Sequence, residues 1–277
     1  MEPIMTLQEA DRLIKEQAVT VIDVRSNLKQ PDKGEQAYQT NHLPGAFYLH
    51  LERDLSGEVK EHGGNHPLPP VETFIEKLEQ IGVTQDKPVL IYDTANDMFA
   101  ARAWWLLHYF GHEKVYILDG GYDAWVNAGY AVTDKIPEAI PSTWERKHQE
   151  NLAVEMENVK ERDKDKTVLI DSRARERYLG ETEPMYHKAG HIPGAKNYFW
   201  KEVLQEDGSW KSVDQLNEHF SDLDKEKHII VSCGSGISAC PNYIALKRAG
   251  FKHVQLYPGS FSDWISYEDN VVHQGEE

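Results

Sequence analysis

The chain repeats itself, and this limits its fold more than any other feature of the sequence. Val21-Ile22-Asp23-Val24-Arg25 is answered 148 residues later by Leu169-Ile170-Asp171-Ser172-Arg173. His42-Leu43-Pro44-Gly45-Ala46 is answered after 149 by His191-Ile192-Pro193-Gly194-Ala195. Val89-Leu90-Ile91-Tyr92-Asp93 pairs with Ile229-Ile230-Val231-Ser232-Cys233 at an offset of 140, and Asp123-Ala124-Trp125 with Ser262-Asp263-Trp264 at 139. Four landmarks in one order make two copies of one unit, and 277 residues hold two domains of ordinary size. The expected division is a first domain over 1–135, a linker over 136–150 and a second domain over 151–277. Pro137, Pro141 and several charges interrupt periodicity in that linker. The fall in offset from 149 to 140 places an insertion of about nine residues in the first copy. It falls around 60–70, where the Gly and Pro content reads as an ordered loop.

Within each copy, short apolar runs alternate with helical spacing. Leu7, Ala10, Leu13 and Ile14 recur at helical intervals before a strand at 19–24. Phe74, Ile75, Leu78 and Ile81 form a second helix closed by Gly82, and a strand at 89–92 follows. A third helix spans 100–110, stops at Gly111, and precedes a strand at 115–118. Continuous apolar strands separated by helices predict an α/β fold in which each copy is a parallel sheet covered by helices on both faces. Ligands of such sheets bind at the carboxyl ends of the strands.

Cys233 falls at one of those ends. It closes the run 229–232 and opens the loop Gly234-Ser235-Gly236-Ile237-Ser238-Ala239, with a helical pattern directly behind. Backbone N–H groups in such a loop, and the positive end of the helix behind it, converge on its centre. They favour an anion there, and the thiolate is the nucleophilic form of cysteine. The equivalent position in the first copy is Asp93, so one of the two sites carries a thiol. Cys240, two helical turns further on, reads as a packing residue.

Composition narrows the partners. Thirty basic and 46 acidic residues give a net charge of −16, which repels nucleic acid and anionic membranes. Two cysteines and an N-terminus without a basic region ahead of an apolar core suit a reducing cytoplasm. No apolar stretch approaches spanning length, so no membrane partner is expected. Thirteen histidines include no pair at zinc-like spacing with further ligands, so no metal and no cofactor are expected.

The chain resembles the rhodanese superfamily in its tandem form. The likeness rests on both Asp-x-Arg strand ends, both His-[Leu/Ile]-Pro-Gly-Ala turns, Ala101-Arg102-Ala103-Trp104-Trp105, Leu118-Asp119-Gly120-Gly121 and the Cys233 loop. In that family the N-terminal copy has lost its catalytic cysteine and the C-terminal copy keeps it. The loop Cys-Gly-Ser-Gly-Ile-Ser is similar to the 3-mercaptopyruvate sulfurtransferase type, whereas thiosulfate-preferring members carry Arg and Lys after the cysteine.

The resemblance implies a sulfurtransferase that takes a small anionic donor, forms a persulfide on Cys233, and passes sulfur to cyanide or to a thiol such as thioredoxin. The thiolate attacks the donor sulfur, and N–H groups of Gly234, Gly236, Ile237, Ser238 and Ala239 hold the anion. Arg177 matches the family's anion-binding arginine and would clamp a carboxylate. A second arginine after Glu183-Pro184 is missing, and Lys188 is the nearby cation. Ser235 is assigned to the developing enolate or to a proton relay. By resemblance, His42 orients Ser235, with Asp32 as the acid behind it. The alternatives are a thiosulfate sulfurtransferase and a non-enzymatic sulfur carrier. Cysteine phosphatases share this fold, but their phosphate-binding arginine would stand at Ala239, which disfavours that chemistry.

Overall fold

The computed structural model describes residues 2–95, 98–144 and 149–277. The chain divides into two compact units. The first comprises Met1–Gly57, Leu68–Gln149 and Leu204–Trp210; the second comprises Glu58–Pro67, Glu150–Val203 and Lys211–Glu277.

The first unit holds strands β1 (Ile4–Met5), β2 (Thr20–Asp23), β3 (Ala46–Tyr48), β4 (Val89–Tyr92) and β5 (Val115–Leu118). Its helices are α1 (Leu7–Lys15), α2 (Lys33–Thr40), α3 (Leu51–Asp54), α4 (Val71–Gln80), α5 (Met98–Tyr109) and α6 (Gly121–Asn127). The strands pair in the order β1-β5-β4-β2-β3, all parallel. Every residue of β2 and β4 is buried, as continuous apolar runs in a doubly covered sheet require.

The second unit holds β6 (Thr167–Asp171), β7 (Ala195–Asn197), β8 (His228–Ser232) and β9 (Val254–Leu256). Its helices are α7 (Met156–Lys160), α8 (Arg175–Tyr178), α9 (Val213–His219), α10 (Cys240–Arg248) and α11 (Ser260–Trp264). The order is β7-β6-β8-β9, again parallel, and a single parallel bridge from Ala153 to Leu256 stands in the place of a fifth strand. Leu169, Ile230, Phe261 and Trp264 anchor its core. Each such side chain contributes about 1.5–3 kcal/mol on burial.

The two units repeat each other in detail. The indole of Trp125 donates to Ala131 O at 2.8 Å, and that of Trp264 to Val271 O at 2.8 Å. Asp23 takes Arg25 Nη2 at 2.7 Å; Asp171 takes Arg173 Nη2 at 2.5 Å. These buried ion pairs close the strand ends that the Asp-x-Arg pattern marks.

The predicted boundaries need correction at three points. Residues after 135 are packed rather than free: Ser142 N donates to Glu79 O at 2.9 Å, and Trp144 Nε1 to Phe110 O at 3.3 Å. Residues 145–148 of the predicted linker lie outside the described residues. The loop at 58–67 belongs to the second unit although it arises in the first copy. Residues 204–210 belong to the first, where Trp210 N donates to Asp119 Oδ1 at 3.0 Å. Neither exchange has a local signature, because both depend on packing.

Candidate active site

Cys233 follows the last residue of β8, and its side chain is buried. Its backbone is fixed from both sides. Cys233 N donates to Ser260 Oγ at 3.0 Å, and Cys233 O accepts from Phe261 N at 3.0 Å. Ser260 is fully buried and held at φ +54°, so α11 starts from a strained serine whose hydroxyl lies 3.9 Å from the sulfur. Gly236 N–H donates to Cys233 Sγ at 3.1 Å. Of the loop donors expected to hold the sulfur, this is the one that reaches it among the described residues.

The loop geometry depends on two glycines. Gly236 has φ +79°, and a Cβ there would sit 2.2 Å from Pro258 O. Gly234 would place a Cβ 2.6 Å from the hydroxyl of Tyr186. Ile237 is buried, Ser238 half-buried, and Ala239 is the buried N-cap residue of α10, followed by Cys240 and Pro241 in its first turn. Cys240 points its thiol at Gly236 O, 3.3 Å away, which is the packing role expected of it.

Ser235 has a different histidine from the one expected. His66 Nδ1 lies 2.8 Å from Ser235 Oγ, and both residues are buried. His66 is carried by the loop 58–67, which is tied down on α11. Gly63 N donates to Asp263 Oδ1 at 2.7 Å, Asn65 N to Ser262 Oγ at 3.1 Å, and His62 stacks on Tyr267 at 4.0 Å. His42 instead spends both ring nitrogens on carbonyls, Nδ1 on Tyr38 O at 2.7 Å and Nε2 on Lys135 O at 3.1 Å. No nitrogen remains to orient a serine. Asp32 is the exposed residue ahead of α2, with its carboxylate 3.9 Å from His50 Nε2. The assignments of His42 and Asp32 are therefore corrected in favour of His66. The signal in the sequence is the nine-residue insertion, present in one copy and carrying His66.

The anion side of the site also differs from expectation. Arg177 is not a bare cation, because Glu183 takes its Nη2 at 2.8 Å and its Nε at 3.2 Å. Glu183 is almost fully buried and takes Arg173 Nη1 at 3.2 Å as well. Arg177 lies over the ring of Tyr186, 5.4 Å from its centroid. Lys188 is half-buried in the same segment and pairs with no described residue.

Tyr186, two residues after Pro184, was missed by sequence reasoning. Its hydroxyl would lie 2.6 Å from a Cβ built at Gly234, which puts the phenol against the Cys233 loop. Burial and the neighbouring Cys233 raise its pKa, with Arg177, Ser235 and Arg173 acting in the other direction. The phenol is thus a proton donor at neutral pH. Cys233, Ser235, His66 and Tyr186 together put a thiol close to a hydroxyl that is hydrogen-bonded to a histidine.

Comparison with known proteins identifies the family of the chain. The Rhodanese-like domain model matches residues 6–128 and 155–267. A probable 3-mercaptopyruvate sulfurtransferase of Pseudomonas aeruginosa is 38% identical over 279 residues, covering 99% of this chain and 98% of that protein. A putative thiosulfate sulfurtransferase, SseB, of Mycobacterium tuberculosis is 36% identical, covering 93% of this chain and 91% of its own length. The crystal structure of SseA from Escherichia coli, described among 3-mercaptopyruvate sulfotransferases, superposes with a TM-score of 0.84 at 32% identity, over 95% of this chain and all of that one. The chain belongs to the rhodanese family, in the tandem form shared with these proteins, and is an enzyme of sulfur transfer.

Proposed function

We propose that this chain takes sulfur from 3-mercaptopyruvate through a Cys233 persulfide and passes it to a thiol, releasing pyruvate. The observation that carries the reading is the Ser235–His66 pair, 2.8 Å apart and two residues from the nucleophile. In the first step Cys233 thiolate attacks the donor sulfur and an S–S bond forms. The donor's C–S bond breaks, and its electron pair becomes the enolate of pyruvate. The enolate needs a proton on carbon and a hydrogen bond on oxygen until the proton arrives. Ser235 and Tyr186 supply the hydrogen bond, and His66 supplies the proton through Ser235. In the second step the acceptor thiolate attacks the outer sulfur and Cys233 leaves as thiolate.

Thiosulfate makes different demands. Its leaving group, sulfite, is a stable anion that needs no proton relay, and the dianion calls for close cations. Gly234 and Ser235 are neutral, and the Arg177 fork is already engaged by Glu183. These features support 3-mercaptopyruvate as the better donor. The donor carboxylate is assigned to Arg177, which Glu183 orients.

The test is to compare kcat/KM for 3-mercaptopyruvate and thiosulfate with one thiol acceptor, following pyruvate and sulfite. In parallel, mass spectrometry of acceptor-free enzyme reads the added sulfur on Cys233. A higher kcat/KM for thiosulfate overturns the donor assignment. Failure to release pyruvate favours a sulfur carrier. Turnover by Cys233→Ser removes the assigned nucleophile.

A further inference from the structure

His191 and its counterpart His42 occupy the same turn in the two units, and the comparison exposes a difference. Each ring stacks on a tyrosine, Tyr178 at 3.8 Å and Tyr38 at 4.1 Å. Each Nδ1 meets that tyrosine's carbonyl, at 2.8 and 2.7 Å. Each backbone forms a reciprocal bridge, His191 with His273 and His42 with Thr133. In the first unit the remaining nitrogen, His42 Nε2, meets Lys135 O at 3.1 Å. In the second, His191 Nε2 is fully buried and has no hydrogen-bond partner among the described residues.

What His191 Nε2 faces instead is a set of ligand atoms. Glu277 Oε2 lies 3.7 Å away, and Glu277 Oε1 accepts from His273 Nδ1 at 2.6 Å. One ligand atom from each of His191, His273 and Glu277 falls within 4.8 Å of the others. Nδ1 of His191 donates to a carbonyl, which in the neutral ring leaves the lone pair on Nε2. A metal-bound imidazole usually donates its other ring N–H to an acceptor in this way.

We infer that His191, His273 and Glu277 form a binding site for a borderline divalent transition ion such as Zn(II) or Co(II). Two imidazoles and one carboxylate suit such ions, and a water completes the fourth position. Nitrogen and oxygen ligands about 2.0–2.2 Å from a tetrahedral ion lie about 3.3 Å apart, so a set spread over up to 4.8 Å must contract by up to about 1.5 Å. Two of its members can move: the His273 and Glu277 side chains are 45% and 27% exposed, whereas the buried His191 is the fixed anchor. The site would fasten the segment 271–277 to the turn at 191–195. The histidines are 82 residues apart in sequence, so a search for metal-ligand spacing passes over them.

The experiment is titration of the chelator-treated full chain with Co(II), followed by displacement with Zn(II) in the presence of a competing chelator. One equivalent is expected, with visible d–d bands and no thiolate-to-cobalt charge transfer. His273→Ala and Glu277→Gln should each weaken binding at least tenfold, the lower end for losing even a group that only hydrogen-bonds a ligand. Cys233→Ser should leave it unchanged. Zn(II) should raise the melting temperature of the wild-type chain and not of His273→Ala. Absence of saturable binding, unchanged affinity in both variants, or loss of the bands in Cys233→Ser each overturns the site.

Discussion

Replacing Gly236 by alanine should separate the loop's geometry from its chemistry. Alanine at φ +79° pays for a left-handed backbone at about 1–2 kcal/mol. Its Cβ, built at 2.2 Å from Pro258 O, cannot stay there, since real contacts hold beyond about 3.0 Å. The obstacle is backbone, and the neighbouring Cys233 O is itself fixed by Phe261 N at 3.0 Å. The loop must therefore move, and the N–H that reaches Sγ at 3.1 Å moves with it. Loss of one aligned donor to a developing anion costs roughly 10²- to 10³-fold in rate, about 2.7–4 kcal/mol. The assay is single-turnover loading of Cys233 by 3-mercaptopyruvate, quenched and read by mass, beside a thermal melt. Gly234→Ala is the contrast. Its Cβ meets only the Tyr186 side chain, at 2.6 Å, so it disturbs the proposed enolate donor while leaving the Gly236 N–H in place, and its loss should match that of Tyr186→Phe rather than that of Gly236→Ala. A folded Gly236→Ala that loads sulfur at the wild-type rate would falsify the role given to this N–H.

His66→Ala should lower kcat for 3-mercaptopyruvate by about 10²- to 10⁴-fold, the range for a general acid, and leave sulfur loading from thiosulfate nearly intact; equal losses on both donors would show that His66 serves the loop rather than the proton. Tyr186→Phe should give a smaller loss, flat between pH 6 and 8, because burial raises the phenol's pKa and keeps it protonated throughout. Arg177→Ala should raise KM for 3-mercaptopyruvate, and a KM that does not move would place the carboxylate elsewhere. Stability should fall as pH drops below the ordinary histidine value of 6.5, because burial holds the pKa of His112 and His219 down and the unfolded chain takes up those protons first; chemical denaturation at pH 7.5 and 5.5 measures this, and His112→Gln should flatten the dependence.

The parts of this molecule that could be read from sequence are those made of local pattern. The strands at 89–92 and 115–118 coincide with β4 and β5 because each is an apolar run of strand length between helical patterns. Cys233 was legible because a strand end, a small-residue loop and a helix start leave few other placements for a thiol. His66 was not legible, because a loop of the first copy folds as part of the second unit and only packing on α11 reveals it. The state of Arg177 was hidden for a related reason. Glu183 is six residues away in a segment without regular structure, so helical spacing gives no warning of the ion pair. A count of cations then overestimates the positive charge offered to a donor.

The duplication also bears on the proposal that the second copy carries the chemistry. The frame around position 93 is the frame around 233. Tyr122 N donates to Asp93 O at 2.8 Å as Phe261 N does to Cys233 O at 3.0 Å, and Asp123 N donates to Thr94 O at 2.9 Å as Ser262 N does to Gly234 O at 2.8 Å. In the first unit the buried carboxylate of Asp93 accepts from Ala100 N at 2.8 Å, in the first turn of α5. In the second unit Sγ of Cys233 accepts from Gly236 N. In both copies a backbone N–H that follows the strand end points at a side chain able to carry negative charge, from the first turn of α5 in one and from the loop ahead of α10 in the other. A carboxylate there is a hard oxygen group with no low-lying route to a covalent bond with sulfur. A thiolate in the same frame is a soft nucleophile whose product, a persulfide, keeps the charge where the donors already point. On the proposed mechanism, the two copies differ in the chemistry of one side chain and in the loop that brings His66 to Ser235.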